Sequence, residues 1–268
     1  MLSVHTNYSS LVAQNSVSKN NDLLSNAMER LSTGLRINSA SDDAAGLQIA
    51  TRLNANVVGM ETANRNVNDA TSMLQTADGA LDELTTIANR QKELATQAAN
   101  GVNSAADLTA LNAEFAELTK EVNRIVDNTE YSGNKLFDSL TAGVEFQIGA
   151  GATEQLTVTV DKANLAGVGD DISTGAGAKG AITTVDAFID AVGKERSTLG
   201  ANINRLGHTS SNLANVTENT KVAAGRIMDA DFAVESANMT KNQLLVQAGT
   251  NILSSANQNT GLVMGLLG

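Results

Sequence analysis

Proline, cysteine and tryptophan are all absent from this 268-residue chain, and the aromatics are five Phe and two Tyr. Without cysteine there is no disulfide, no thiolate nucleophile and no cysteine-based zinc site. Without proline, no position is denied its helical N–H, so long unbroken helices are open to the chain. The apolar surface falls to Ala, Leu, Val and Met, which suit close helix–helix contact better than a deep globular core. Positive charge is also scarce. Lys and Arg number 18 against 29 Asp and Glu, and the net charge of −11 argues against nucleic acid or an anionic membrane as partner. No stretch reaches the roughly 18 consecutive apolar residues of a membrane span. Residues 1–18 lack the basic region, apolar run and small-residue site of a cleaved secretion signal.

What the chain does have is helical periodicity at both ends. From Val67 a heptad ladder runs through Ala70, Leu74, Ala77, Leu81, Leu84 and Ala88 to Ala98, interrupted only at Gln91. Ser41-Asp42-Asp43 supplies capping residues before it, and Asn100-Gly101 a stop after it. A second helix is expected from Ser104, where Ser-Ala-Ala-Asp offers a capping box, to about Asn128. A third ladder runs from Val185 to Ala237, and one helix is expected from about 183 to 266. Between the ladders, Val144, Phe146 and Ile148 alternate with polar residues, as do Leu156, Val158 and Val160, so a β-hairpin is expected there. Residues 163–182, rich in Gly and Ala without a period, predict a loop.

The fold class is therefore mainly α: a long antiparallel helical rod or coiled coil built from both termini, with a small β-hairpin insertion. The expected division is a discontinuous core domain, residues 1–42 plus 229–268. A rod domain of three helices, residues 43–228, then carries the hairpin and loop at about 139–182.

Charge placement at the termini is the most informative feature. The first charged side chain is Lys19 and the last is Lys241. Both ends nevertheless carry apolar residues at heptad spacing. On one side these are Leu11, Leu24, Met28 and Leu31; on the other they are Leu245, Ala248, Ile252, Leu262 and Leu266. A frayed tail would explain one such end. Two in one chain point to self-association, because apolar faces left open on a monomer mark interaction sites, and charges there would be costly once covered. A monomeric helical adaptor is the competing class, and it would not need two charge-free ends.

The segment Glu29-Arg-Leu-Ser-Thr-Gly-Leu-Arg-Ile-Asn-Ser-Ala-Ser-Asp-Asp-Ala-Ala-Gly46 closely resembles the N-terminal signature of bacterial flagellin. Likeness continues through 63–69, 75–83 and 93–100, and at the other end through 227–235 and 247–258. The resemblance implies a structural subunit, not an enzyme and without cofactors. It would polymerise with itself into a hollow extracellular filament that serves motility, exported without a cleaved signal peptide. It also implies an export chaperone, a filament cap and hook-associated proteins as partners. A hook–filament junction protein is a related alternative. The large outer domains of longer relatives are missing, so a thin, smooth filament is expected. In flagellins recognised by the vertebrate Toll-like receptor for flagellin, an Arg, a Leu and a Glu make the contact. Matching the motif carries these onto Arg90, Leu94 and Glu114, the first two expected on one helix face. Ser139, Thr141, Thr153, Ser173 and Thr174, in the insertion, are candidate glycan acceptors.

Two further signals have bland explanations. Gly175-Ala-Gly-Ala-Lys-Gly180 fits the dinucleotide pattern GxGxxG but follows no strand, and Asp170-Asp171 beside it would repel a pyrophosphate, so a flexible turn explains it better. The two histidines lie far apart in sequence with no cysteine or carboxylate cluster beside them, which speaks against a metal site.

Overall fold

The computed structural model describes residues 7–267, with side chains described through Gln258. The chain divides into two compact units, one formed by Met1–Ala55 with Asn219–Gly268 and the other by Asn56–Glu218. Two long helices, α2 (Ala44–Ala98) and α5 (Gly175–Met228), contribute to both.

The terminal unit is a pair of helices, α1 (Tyr8–Thr33) and α6 (Phe232–Leu267), with the adjoining ends of α2 and α5. Asn7 starts α1: its Oδ1 accepts the Ser10 N–H at 3.1 Å while its Nδ2 donates to the Ala256 carbonyl of α6 at 2.9 Å. One residue thus caps one helix and ties it to the other. Gly34 ends α1 at φ +74°, a left-handed conformation that costs glycine nothing. The chain beyond it pairs with the end of α5. Arg36 N–H donates to the Met228 carbonyl at 2.6 Å, and Ala230 N–H to the Gly34 carbonyl at 2.9 Å. This pairing corrects the expectation of a single helix from 183 to 266. Backbone groups around 228–230 that would continue α5 are spent on the Gly34–Arg36 segment, so the helix breaks. Asp231 then restarts it as α6, its Oδ1 accepting the N–H groups of Ala233 (2.8 Å) and Val234 (3.3 Å).

In the second unit, α2 and α5 run antiparallel. Arg196 of α5 bonds Asp78 at 2.9 Å and Asp82 at 2.7 Å; further along, Lys92 meets Asp186 at 2.6 Å and Ser210 meets Asn64 at 2.8 Å. The ladders predicted from periodicity face each other, with Leu74, Leu81, Leu84, Val185, Val192 and Leu199 all excluded from solvent. Third in the bundle is α3 (Ala105–Asn128), which begins with the expected capping box. Ser104 Oγ accepts the Asp107 N–H, and the Asp107 carboxylate accepts the Ser104 N–H.

The connection to α5 holds more structure than the spacing predicts. A two-residue hairpin, β1 (Glu130–Tyr131) and β2 (Asn134–Lys135), turns through Ser132 (φ 52°) and Gly133 (φ +81°), both left-handed as a type I′ turn requires. The short α4 (Leu136–Ala142) follows and buries Leu136, Phe137 and Leu140. The expected hairpin is present as β3 (Val144–Gln147) and β4 (Gln155–Val158), antiparallel with Phe146 opposite Leu156. It lies on α2: Asn66 Nδ2 donates to the Gln147 carbonyl at 3.1 Å, and Gly59 leaves room for Ala150. The predicted 163–182 loop is shorter than expected. A single 3-10 turn occupies Lys162–Leu165, and α5 starts at Gly175, where Thr174 Oγ1 accepts the Gly177 N–H at 3.1 Å. A side-chain cap and the absence of proline let a Gly- and Ala-rich segment join the helix despite its low propensity.

Candidate assembly surface

The α1–α6 contact uses one stripe of each helix. On α1 it comprises Ala13, Val17, Asn20, Leu24, Ala27 and Leu31; on α6 it comprises Glu235, Met239, Asn242, Val246, Gly249 and Leu253. Both follow alternating steps of three and four, the seam of an antiparallel coiled coil. The apolar residues expected to serve self-association on α6 lie on a different face from this seam. Leu245, Ala248 and Ile252 do not face α1 but lie outside the seam, exposed, with Ile252 at 61%. On α1 the expected set also divides. Leu24 and Leu31 turn toward α6, whereas Leu11 and Met28 face outward at 48% each. Spacing alone does not say which apolar positions meet the partner helix within the chain and which are left for another copy. The side chains of Leu262 and Leu266 lie outside the described residues, although the backbone there is helical.

Each terminal helix therefore carries a second apolar face that none of the described residues covers. Tyr8, Leu11, Val12 and Leu23 form it on α1, with Met28 exposed on the other flank of the seam, and Leu244, Leu245 and Ile252 form it on α6. A groove of about 370 Å³ opens between the helices, bounded by Tyr8, Val12, Ala13, Ser16, Gly249 and Ile252. The stripe between the helices is not purely apolar. Glu235 is buried and receives Arg30 Nη1 at 3.2 Å, and Asn242 is also buried. These seam positions were missed in the sequence, although a seven-residue step through 235, 242, 249 and 256 would have revealed them.

Of the three residues matched to the receptor motif, two come together. Arg90 Nε and Nη2 both donate to Glu114 Oε1, at 3.1 and 2.8 Å, and Arg90 Nη1 donates to Glu93 at 3.0 Å. Hydrogen bonding to Glu114 and then Glu93 raises the guanidinium pKa above its already high value. Leu94 does not share their exposure. It is 1% exposed and packs in the core, which corrects the expectation of a common surface face. Residues four apart on a helix differ by about 40° in direction. At the edge of a buried stripe that rotation is enough to carry Leu94 inside while Arg90 stays out. Gln91 is fully buried, its Nε2 donating to Thr119 Oγ1 at 3.0 Å and its Oε1 lacking a partner.

The candidate glycan acceptors differ in availability. Ser139 and Thr141 donate their hydroxyls to the carbonyls of Lys135 and Phe137, at 2.9 and 2.8 Å, and Thr174 Oγ1 caps α5. Ser173 is half-buried, and Thr153 stands exposed in the β3–β4 turn. The Gly175–Gly180 motif forms the first turn of α5, with no strand leading into it. Among the described residues no group of His, Asp and Glu is placed to hold a metal ion, and no helix is long and apolar enough to cross a membrane.

Comparison with known families decides what this architecture is. Residues 4–142 match the bacterial flagellin N-terminal helical region, and residues 182–267 match the bacterial flagellin C-terminal helical region. The chain belongs to the bacterial flagellins. It is 42% identical to a flagellin of Halalkalibacterium halodurans over 246 residues, covering 90% of each chain. Flagellin A of Vibrio anguillarum is 33% identical across 99% of both chains, over an alignment of 376 residues that shows how much shorter the present flagellin is. Among solved structures, the crystal structure of Bacillus cereus flagellin superposes with a TM-score of 0.50 at 34% identity, covering 56% of this chain and 88% of that one. As a flagellin, the protein is a structural component of the flagellar filament and not an enzyme.

Proposed function

We propose that copies of this chain join through the outward apolar faces of α1 and α6, which become the lining layer of a hollow filament that serves motility. The observation that carries this is the double use of the terminal helices. Each already has a filled seam within the chain, yet keeps a second stripe of large apolar side chains in water, with Ile252 61% and Tyr8 78% exposed. A second copy is the occupant that fits, because the stripe is uncharged from Leu244 onward and would accept a surface of its own kind. Export without a cleaved signal, an export chaperone, a filament cap and hook-associated proteins belong to the same proposal. Seeded polymerisation followed by light scattering tests it with Ile252→Asp against Thr153→Asp. An aspartate at 252 would be covered at every subunit, where burial without a partner costs about 2–7 kcal/mol for a polar group and more when ionised. Elongation should fail for Ile252→Asp and persist for Thr153→Asp; equal polymerisation of the two would remove the outward face as an interface.

A second proposal concerns recognition by the Toll-like receptor for flagellin through Arg90 and Glu114. Their coupled, exposed pair on neighbouring helices supports it, with Leu94 acting from beneath as packing. A receptor reporter assay on Arg90→Ala and Glu114→Ala should show reduced signalling for both; full signalling by both variants would refute it. For glycan attachment, Thr153 is the proposed acceptor, and an unmodified 153-containing peptide from native filaments would count against it.

A further inference from the structure

We propose that Asn100 and Gly101, in the turn between α2 and α3, form a self-modifying site that converts Asn100 to aspartate and isoaspartate. The reaction needs three conditions: a side-chain amide free to swing onto the main chain, a following backbone N–H free to lose its proton, and little steric bulk on that residue. Asn100 is exposed, and its side chain has no hydrogen-bond partner among the described residues. Gly101 donates its N–H to none of the described residues, and a Cβ built on it would meet no atom within 4 Å, so the turn is open around the reacting atoms.

The three asparagines followed by serine fail one of these conditions. Asn103 Nδ2 is held by the Gln97 carbonyl at 2.6 Å, and the next N–H, Ser104, is bound to Asp107 at 3.0 Å in the capping box. Asn38 Nδ2 donates to the Leu35 carbonyl at 3.2 Å, and Ser39 N–H to Asp42 at 2.9 Å. Asn15 and Ser16 lie inside α1, where the backbone N–H groups belong to the helix ladder. Sequence contributes the one Asn-Gly pair in the chain; hydrogen bonding then separates it from its neighbours.

The chemistry balances with water as the only co-reactant. Hydroxide removes the Gly101 amide proton, and that nitrogen attacks Asn100 Cγ. The Cγ–Nδ2 bond breaks and ammonia leaves, closing a five-membered imide. Water adds to either imide carbonyl, opening the ring to aspartate or to isoaspartate, in which the main chain runs through the former side chain. Either product places a carboxylate just past the last turn of α2, where the helix carbonyls already concentrate negative potential. The isoaspartate also lengthens the main-chain path between Ala98 and the Ser104 cap.

The test is incubation of the full-length folded protein at mildly alkaline pH, followed by tryptic digestion and mass spectrometry of the Glu93–Lys120 and Ile37–Arg52 peptides, using electron-transfer fragments to tell the two products apart. Conversion at Asn100 should exceed that at Asn103 and Asn38 by about tenfold or more, the ratio produced by each 1.4 kcal/mol of barrier. Gly101→Ala, which the open turn accommodates, should slow it by a similar factor while circular dichroism stays unchanged. Comparable conversion at Asn103 or Asn38 would overturn the proposal, as would an unchanged rate in Gly101→Ala. So would an Asn100 that reacts in urea but stays intact in the folded chain.

Discussion

Gly249 of α6 stands against Val17 of α1 so closely that a Cβ on the glycine would lie 2.5 Å from Val17 Cγ2. Glycine in a helix interior costs about 1 kcal/mol relative to alanine, so on propensity alone Gly249→Ala would stabilise α6. Overpacking the seam opposes it by about 1–3 kcal/mol, and the overlap should win. The expected outcome is faster hydrogen exchange along α1 and α6 in Gly249→Ala. Val17→Ala should restore protection when combined with it, because it removes the methyl group that clashes.

Gln91 interrupts an otherwise apolar ladder, and its Oε1 is buried without a partner. Such an orphan costs about 1–3 kcal/mol. Thr119 keeps an acceptor of its own, the Val168 carbonyl at 2.6 Å, when the glutamine is gone. Gln91→Leu should therefore be neutral or raise the thermal midpoint, whereas Gln91→Ala, which leaves a cavity, should lower it. A midpoint well below wild type for the leucine variant would show that the amide's bond to Thr119 outweighs its unpaired oxygen.

Arg30 and Glu235 make a different kind of polar contact in the terminal seam, 3.2 Å apart with the Glu235 side chain only 10% exposed. Arg30→Met leaves a buried carboxylate without its partner and should cost more than Arg30→Met combined with Glu235→Met, because removing one member of such a pair is worse than removing both. Chemical denaturation of the two variants measures the difference. A double variant less stable than the single one would mean the carboxylate is satisfied without Arg30.

Asp107 predicts a pH dependence at the start of α3. Hydrogen bonds from the Ser104 hydroxyl and then the Ser104 N–H hold its carboxyl below the ordinary carboxylate range. A carboxyl lowered by folding contributes fully above its unfolded pKa, and the contribution disappears as pH falls through the lowered folded value. Amide shifts of residues 104–108 should therefore move together in acid as the cap opens, and Asp107→Asn should abolish that transition. Asp127, lowered by its hydrogen bond to Lys162, should titrate in the same direction at the other end of α3.

The sequence by itself determined the helices and their caps. A chain without proline, with heptad ladders, the Ser104–Asp107 box and alternating strands around 144–158, leaves little freedom in its local structure, because these signals act within a few residues of each other. It also determined that the chain begins and ends in charge-free stretches, 1–18 and 242–268, with apolar residues at helical spacing. The tertiary structure decided which face does what. Leu24 and Leu11 are equally apolar, as are Val246 and Leu245, so only pairing selects the Ala13–Leu31 stripe and the Gly249 contact, leaving Leu11 and Ile252 outside. Pairing likewise breaks the third ladder at Asp229, because the backbone bonds that Gly34 and Arg36 make there come from far away in the chain. The same holds for Leu94, carried inside by a rotation of about 40° from Arg90, a step too small for periodicity to resolve at the edge of a buried stripe.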